Sequence, residues 1–200
     1  MVLWDPAMPT QAERADATRG KLLAVARKLF ATKGYAATSL DALVRRAGVT
    51  KGAFYHHFPD KQAIFRAVFE AVEDDLVAAA LAGSRGTDAL TRFRTGCHAF
   101  LAASVDPAVQ RIVMMDGPAV LGWATWREID WRHFLALVDE GLAQAMLEHG
   151  AKRRPTKALA HLVFGALCES AMVVARSPKP REALRQVRQE LDVLLGGLCK

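Results

Sequence analysis

The stretch "GVTKGAFYHHF", Gly48 to Phe58, decides the fold of the first third of the chain. Its phenylalanines, Phe54 and Phe58, are spaced four residues apart, as on one face of a helix. The lysine and the two imidazoles between the turn and the last phenylalanine are unsuited to a core, so they must face outward. We therefore expect a short helix that begins after Thr50, stops before Pro59 and presents its polar side to a partner.

The residues before this stretch predict two more helices. Leu22, Ala26 and Phe30 fall on one helical face that ends near Gly34, and the sequence "TSLD" from Thr38 resembles the start of a second, short helix. Two short helices joined by a tight glycine turn form a helix-turn-helix, whose second helix can enter the major groove of DNA.

Charge is concentrated in the same part of the chain. Ten lysines or arginines and three acids lie between Arg14 and Lys61, whereas the whole chain of 200 residues has a net charge of +6. The remainder is therefore close to neutral. A basic excess of this kind indicates a polyanionic partner for the first third, although a solvated charged face gives the same pattern.

Composition places the whole chain in the all-α class, with about nine helices. Hydrophobic residues make up 52% of it and no strand-like alternation competes with the abundant helix formers. Its three cysteines lack CxxC or metal-ligand spacing, so we expect free thiols, no metal and no cofactor. The most apolar stretch is interrupted by His161 and Glu169, and we expect a soluble, cytoplasmic protein without a membrane span.

The sequence divides into three parts. Residues 1–15 contain two prolines and no periodicity, which predicts a mobile arm, and residues 16–62 hold the helix-turn-helix. Residues 63–200 form a larger helical domain for a ligand and for dimerisation. It opens with a long helix that starts after Asp60 and whose outer face is acidic.

At this point the residues resemble a known family. The segment "TSLDALVRRAGVTKGAFYHHFPDKQAIF", Thr38 to Phe65, is similar to the DNA-binding signature of the TetR (tetracycline-repressor) family of bacterial transcriptional regulators. The preceding "LLAVARKLFATKGYAATS" is similar to that family's first helix. The resemblance implies an all-helical homodimer whose three N-terminal helices bind palindromic operator DNA, with an effector pocket and the dimer contacts in the remaining helices.

The resemblance also implies which residues contact double-stranded operator DNA. The groove-facing set combines small residues, which allow close approach, with hydrogen-bonding side chains: Thr50, Lys51, Gly52, Ala53, Tyr55 and His56. Thr38 and Lys61 would touch phosphates. Arg46 and its neighbour Arg45 are further candidates, and either can instead stay solvated.

The segment "RIVMMDGPAVLGWATWREIDWRHF", Arg111 to Phe134, is a candidate effector site because methionine and tryptophan form adaptable apolar walls. Ordinary core with surface tryptophans is the alternative. We expect a small-molecule effector to contact residues of this segment and of the neighbouring helices: Met114, Met115, Asp116, Trp123, Trp126, Trp131, Phe134, Phe93, Cys97, Phe100, His161, Phe164 and Cys168.

The last two predicted helices are candidates for the dimer interface. The helix from Pro155 to Arg176 is apolar nearly all round, so it needs covering on two sides, and a monomer covers one. We expect two copies to form a four-helix interface that includes Leu162, Leu184, Val187, Leu191 and Leu194.

These patterns predict a ligand-responsive DNA-binding regulator, most simply a repressor that a small apolar or aromatic effector releases from its operator. A small helical enzyme and a ligand-binding module without DNA binding are the alternatives. No nucleophile-base arrangement, phosphate loop or paired-carboxylate motif supports the enzyme.

Overall fold

The computed structural model of the chain describes residues 10–149 and 155–198, and every regular element in these two ranges is a helix. In chain order the helices are α1 (Gln11–Lys33), α2 (Leu40–Ala47), α3 (Lys51–His57), α4 (Lys61–Gly83), α5 (Ala89–Ser104), α6 (Pro107–Val109), α7 (Gly117–Leu121), α8 (Trp123–Glu148), α9 (Lys157–Arg176) and α10 (Pro180–Leu198). A π-helical segment, Gln110–Asp116, joins α6 to α7 without a break. The described ranges thus hold nine separate helices, and the predicted all-α class is confirmed.

The π-helical segment explains why the helix continues through Pro118. This proline lies in the first turn of α7 and cannot donate to the Val113 carbonyl, which is five residues earlier and so its partner in π register. The Trp126 indole N–H donates to that carbonyl instead, at 3.1 Å in a buried position. The break falls at Gly122, whose φ of 78° favours glycine.

The N-terminal arm is shorter than predicted. α1 begins at Gln11, because Thr10 and Glu13 form a capping box: the Glu13 N–H donates to the Thr10 hydroxyl, and the Thr10 N–H donates to the Glu13 carboxylate. Residues 10–15 therefore belong to the first helix and its cap. The rest of the predicted arm, residues 1–9, lies outside the described residues.

The chain folds into two compact units, Met1–Val68 and Phe69–Lys200, with a division six residues beyond the predicted boundary. The difference arises because the first two turns of α4 belong to the smaller core. Ile64, Phe65 and Val68 are buried there, and Phe65 packs edge-on against Phe30 of α1.

The core of the larger unit forms where α5, α8 and α9 pack together. Phe134 stacks on Phe164 with ring centroids 5.4 Å apart, and Phe100 packs edge-on against Phe134 at 5.0 Å. At the far end of α8, the Glu148 carboxylate accepts a hydrogen bond from the first N–H of α5, at Ala89. The aromatic cluster and this cap fix α5 against α8.

α9 is the one helix of the described ranges that is long and apolar enough to cross a membrane, with a mean hydropathy of 1.8. It contacts α5, α8 and α10, and one side of it is buried among them. Packing inside the larger unit therefore accounts for its apolar character on that side.

Burial corrects the predicted dimer residues. Leu191 is buried within its own chain, and Leu184 and Val187 are half-buried, so these three serve the packing of α10 on its neighbours. Leu162 and Leu194 are exposed as predicted. Two apolar side chains that the prediction omitted are also exposed on these helices: Val173 and Val193.

Candidate nucleic-acid interface and ligand cavity

Side-chain caps set the start of each helix in the helix-turn-helix. Ser39 caps α2 by accepting from the Ala42 N–H at 3.1 Å, and Thr50 caps α3 by accepting from the Ala53 N–H at 3.1 Å. Between them Gly48 adopts the left-handed conformation, with φ 66° and ψ 35°. The turn between the helices therefore requires glycine at that position.

Helix α3 buries one face and exposes the other. Phe54 and Phe58 are buried, as predicted. Tyr55 is 55% exposed, although its ring edge contacts Phe54. Most of the predicted groove-facing residues share this exposed side, and Ala53 is half-buried: Thr50, Lys51, Gly52, Tyr55 and His56 are exposed.

Gly52 is not required by the fold. Its backbone is ordinary helix, and a Cβ added there would meet nothing nearer than the Thr50 hydroxyl, at 3.8 Å. A glycine inside a helix costs about 1 kcal/mol relative to alanine. Packing within the chain therefore does not account for a glycine at this position.

The basic side chains near the exposed side of α3 are a lysine of α3 itself and two arginines at the end of α2. The Lys51 ammonium pairs with the Asp41 carboxylate of α2 at 2.6 Å, and this hydrogen bond raises the pKa of Lys51. Both side chains are exposed, so the pair is weak and a phosphate can replace the carboxylate. Arg45 and Arg46 are exposed at the end of α2.

Thr38 was predicted to contact a phosphate, but its side chain is buried. It is 1% exposed, and its hydroxyl donates to the Gly34 carbonyl at 2.8 Å. The N-cap of α2 is the next residue, Ser39, so Thr38 closes the loop after α1 and does not reach a phosphate.

Lys61 has a different role from the predicted one. Its ammonium donates to the Tyr35 and Thr38 carbonyls, each at 3.0 Å, and lies 3.9 Å from the centre of the Tyr35 ring. These contacts occupy the donors of a half-buried cation. Lys61 therefore ties the start of α4 to the loop between α1 and α2.

The larger unit contains a cavity of about 210 Å³ between α4, α5, α8 and α9. Five of the predicted effector residues line it: Phe93, Cys97, Phe100, Phe134 and Phe164. Burial raises the pKa of the Cys97 thiol to about 12, so this side chain is neutral. The walls are mainly aromatic and aliphatic, and they suit an apolar ligand body.

The other eight predicted effector residues do not line this cavity: Met114, Met115, Asp116, Trp123, Trp126, Trp131, His161 and Cys168. Met115, Trp123 and Trp131 are exposed. Arg127 lies within 5.1 to 5.8 Å of three indole rings, and Trp131 packs edge-on against His161. The three indole rings therefore contact the Arg127 guanidinium and do not line the cavity.

Sequence reasoning missed the remaining cavity residues, which come from α4, the loop after it, α5, α8 and α9: Ala80, Leu81, Ser84, Ala89, Arg92, Gly96, Leu137, Val138, Glu140, Gly141, Gln144 and Leu167. Two mid-helix glycines were the available signal. A Cβ at Gly141 would lie 2.3 Å from the Phe93 ring, and one at Gly96 would lie 3.2 Å from the Ala80 carbonyl.

A row of acids on α4 faces α8 close to the cavity. Glu70 pairs with Arg132 at 3.7 Å, and Asp74 pairs with His133 at 3.1 Å. Glu73 lies between them but is 1% exposed, and neither of its carboxyl oxygens has a hydrogen-bond partner. The predicted acidic outer face of α4 is therefore wrong at this residue, which points into the core.

Glu73 meets a second buried acid, Asp130 of α8. Burial raises the pKa of Glu73 well above its ordinary value, with a further contribution from the Asp130 charge. Burial also raises the pKa of Asp130 to about 6, although Arg127 opposes the shift through an ion pair at 2.9 Å. Cys168 of α9 interacts with all three groups, and burial raises its pKa.

No group of three or more histidine, cysteine, aspartate or glutamate side chains with metal-binding geometry occurs within residues 10–149 and 155–198.

Two family models match the chain. One, described as bacterial regulatory proteins of the tetR family, covers residues 22–68, and the other, described as a tetracyclin repressor-like C-terminal domain, covers residues 90–198. The chain belongs to the TetR family. The predicted family is thereby confirmed, and the chain is a ligand-responsive, DNA-binding transcriptional regulator.

Individual TetR-family proteins match most of the chain. The crystal structure of a TetR-family transcriptional regulator from Pectobacterium atrosepticum is 36% identical, with a TM-score of 0.80 over 95% of this chain and 97% of that one. The transcriptional regulator CymR of Pseudomonas putida is 28% identical over 92% of this chain and 91% of its own length. The regulator AcrR of Shigella flexneri is 41% identical over 64 residues, 32% of this chain and 30% of its own length.

For this TetR-family chain, we predict that Lys61→Met lowers the free energy of unfolding by about 1 to 3 kcal/mol, because two carbonyls lose a charged donor. Urea titration without DNA measures the change. Lys33→Met, at an exposed position on α1, is the control and should stay within about 0.5 kcal/mol of wild type. Unchanged stability with weakened operator binding would return Lys61 to the phosphate role.

We also predict that Glu73→Met stabilises the protein more at high pH than at low pH. Both carboxyls hold protons more tightly folded than unfolded, so stability falls as pH rises, from 3.8 to about 6 for Asp130 and from 4.5 upward for Glu73. Removing the unpartnered carboxyl should add about 1 to 3 kcal/mol near pH 8 and less near pH 5.

Urea titrations at the two pH values measure this difference. The control is Glu140→Met, at an exposed carboxylate of α8, which should change the free energy of unfolding by less than about 0.5 kcal/mol at either pH. An equal loss of stability at both pH values in Glu73→Met would show that the carboxyl has a stabilising partner.

Proposed function

We propose that the protein is a cytoplasmic repressor that binds a palindromic operator as a dimer and is released when a small apolar or aromatic effector occupies the cavity of the larger unit. The observation that carries the proposal is the exposed side of α3, where Gly52 serves no packing role and hydrogen-bonding side chains surround it. Membership of a family of DNA-binding regulators supports it.

The exposed residues of α3 suit base edges and phosphates. A phenol at Tyr55 and an imidazole at His56 reach outward, and Gly52 allows the backbone to approach the groove. Lys51, Arg45 and Arg46 supply phosphate neutralisation, which makes binding fall steeply with salt.

The cavity supports an apolar effector. Phe93, Phe100, Phe134 and Phe164 present rings to it, and Gly141 leaves room for one of these rings against α8. α4 contributes buried residues to the smaller unit and cavity residues to the larger one, so it is the continuous element through which occupancy acts on DNA binding. A coupling of about 1 to 3 kcal/mol changes operator affinity about 5- to 150-fold.

The outward face of α9 and α10 supports a dimer. Leu162, Val173 and Val193 are exposed there, although apolar side chains of this size are usually covered. Gly165 and Ala166 lie beside Leu162, and a Cβ at Gly165 would meet nothing within 4 Å, so a helix of a second copy has space to approach closely. A symmetric dimer provides two copies of α3 for two half-sites.

The DNA interface is tested by Lys51→Ala and Tyr55→Ala. Each should weaken operator binding by about 1 to 3 kcal/mol and leave the circular dichroism spectrum unchanged, because neither side chain packs in the core. Gel shifts with the inverted repeat nearest the gene measure the affinity. Lys33→Ala is the matched control on α1, and operator affinities equal to wild type in both α3 variants would refute the assignment.

The dimer interface is tested by Leu162→Glu. A charge placed on a buried apolar seam should raise the dimer dissociation constant at least about tenfold, as measured by analytical ultracentrifugation. Leu147→Glu is the control, since Leu147 is also an exposed leucine but lies near the end of α8. Identical sedimentation of the two variants as dimers would place the interface elsewhere.

A further inference from the structure

The contacts between α4 and α8 follow a rule of opposite charges with one exception. The outer acids of α4, Glu70 and Asp74, each face a basic side chain of α8. Glu73, the buried acid between them, has no such partner: both of its oxygens lack a hydrogen-bond donor, and the charge of Asp130 on α8 contributes to raising its pKa. A hydrogen-bond donor would stabilise a buried carboxyl more than an exposed one. Glu73 is the buried acid of the three, and it is the one that lacks a donor.

Neither carboxyl oxygen of Glu73 accepts a hydrogen bond from a cation, and the nearby charges of Asp130 and Asp74 are negative. Arg127 is paired with Asp130 at 2.9 Å and lies near three indole rings, and His133 is paired with Asp74. The third neighbour, Cys168, is a neutral thiol because burial raises its pKa. One monovalent cation would balance the cluster, and its N–H groups would satisfy the Glu73 oxygens.

The cluster lies beside the cavity along three helices at once. Asp130 is one helical turn before the cavity residue Phe134 on α8, and Cys168 is one turn after the cavity residue Phe164 on α9. On α4, Glu73 is two turns before Ala80, which also lines the cavity. Phe134 and Phe164, whose rings stack, are thus cavity residues about one helical turn, or about 5.4 Å, along their helices from Asp130 and Cys168.

We propose that the effector is an amine cation, with an apolar or aromatic body in the cavity and an ammonium group that donates to Glu73 and Asp130. This inference rests on the proposed function, because it specifies the ligand class of the same cavity. A spacer of about three carbons between ring and nitrogen spans one helical turn once a phenylalanine ring rotates aside. The ammonium replaces the proton that otherwise neutralises Glu73, and we expect a neutral or anionic ligand of the same shape to bind more weakly beside the two carboxyls.

The test compares three probes of one shape and three charges: phenylpropylamine, phenylpropanol and phenylpropanoate. Isothermal titration calorimetry on the full chain at neutral pH measures each affinity in wild type, in Glu73→Gln and in Glu169→Gln. Glu169 is exposed on α9 and does not line the cavity, so its variant controls for a carboxylate that attracts cations from the surface.

The amine should bind wild type most tightly, and Glu73→Gln should weaken its binding about 10- to 100-fold, while Glu169→Gln should leave it within about twofold. Three results would each overturn the proposal: equal affinity of the three probes for wild type, no binding by any of them, or amine binding that survives Glu73→Gln. Glu73 would then be a buried carboxyl that is neutralised by a proton and binds no ligand. Circular dichroism and urea titration of Glu73→Gln establish that the variant is folded.

Gel shifts with the same probes separate this inference from the proposed function. Glu73-dependent amine binding without any change in operator affinity would support the amine site and contradict regulation through the cavity. Operator release by the alcohol or the acid, with no preference for the amine, would support regulation through the cavity and overturn the amine site.

Discussion

One helix, α4, contributes buried side chains to the cores of both units. Its first turns bury Ile64 and Phe65 in the smaller unit, and its later turns bury Phe69, Val72 and Leu76 in the larger one. Lys61 fixes the start of the helix by binding the carbonyls of the preceding loop. The helix therefore runs without a break from the core of the smaller unit to residues that line the cavity of the larger one.

The helix-turn-helix was predictable because its signals are local. Thr50, the left-handed Gly48 and the spacing of Phe54 and Phe58 each fix geometry within a few residues, and the structure bears all of them out. The errors also have a local cause. Thr38 and Ser39 are adjacent hydroxyl residues, so the pattern of an N-cap cannot by itself tell which of the two is buried.

The cavity was only partly predictable, because it is a property of packing between helices distant in sequence. The aromatic residues on the inner faces of α5, α8 and α9 were found, since helical periodicity identifies inner faces. The Met and Trp segment was misleading: a π-helical turn directs Trp126 to a backbone carbonyl, and Arg127 takes the indole faces. Neither feature has a signal in the spacing of residues.

Glu73 shows why a residue that breaks the local pattern can be informative. It occupies the same face of α4 as Phe69 and Leu76, where an apolar side chain would pack without any unpartnered polar atom. Glu70 and Asp74 show that this helix finds basic partners on α8 when an acid is there for stability. The proposed amine site therefore rests on a buried acid whose oxygens have no donor and on which the charge of a second buried acid acts, since unsatisfied groups concentrate where function requires them.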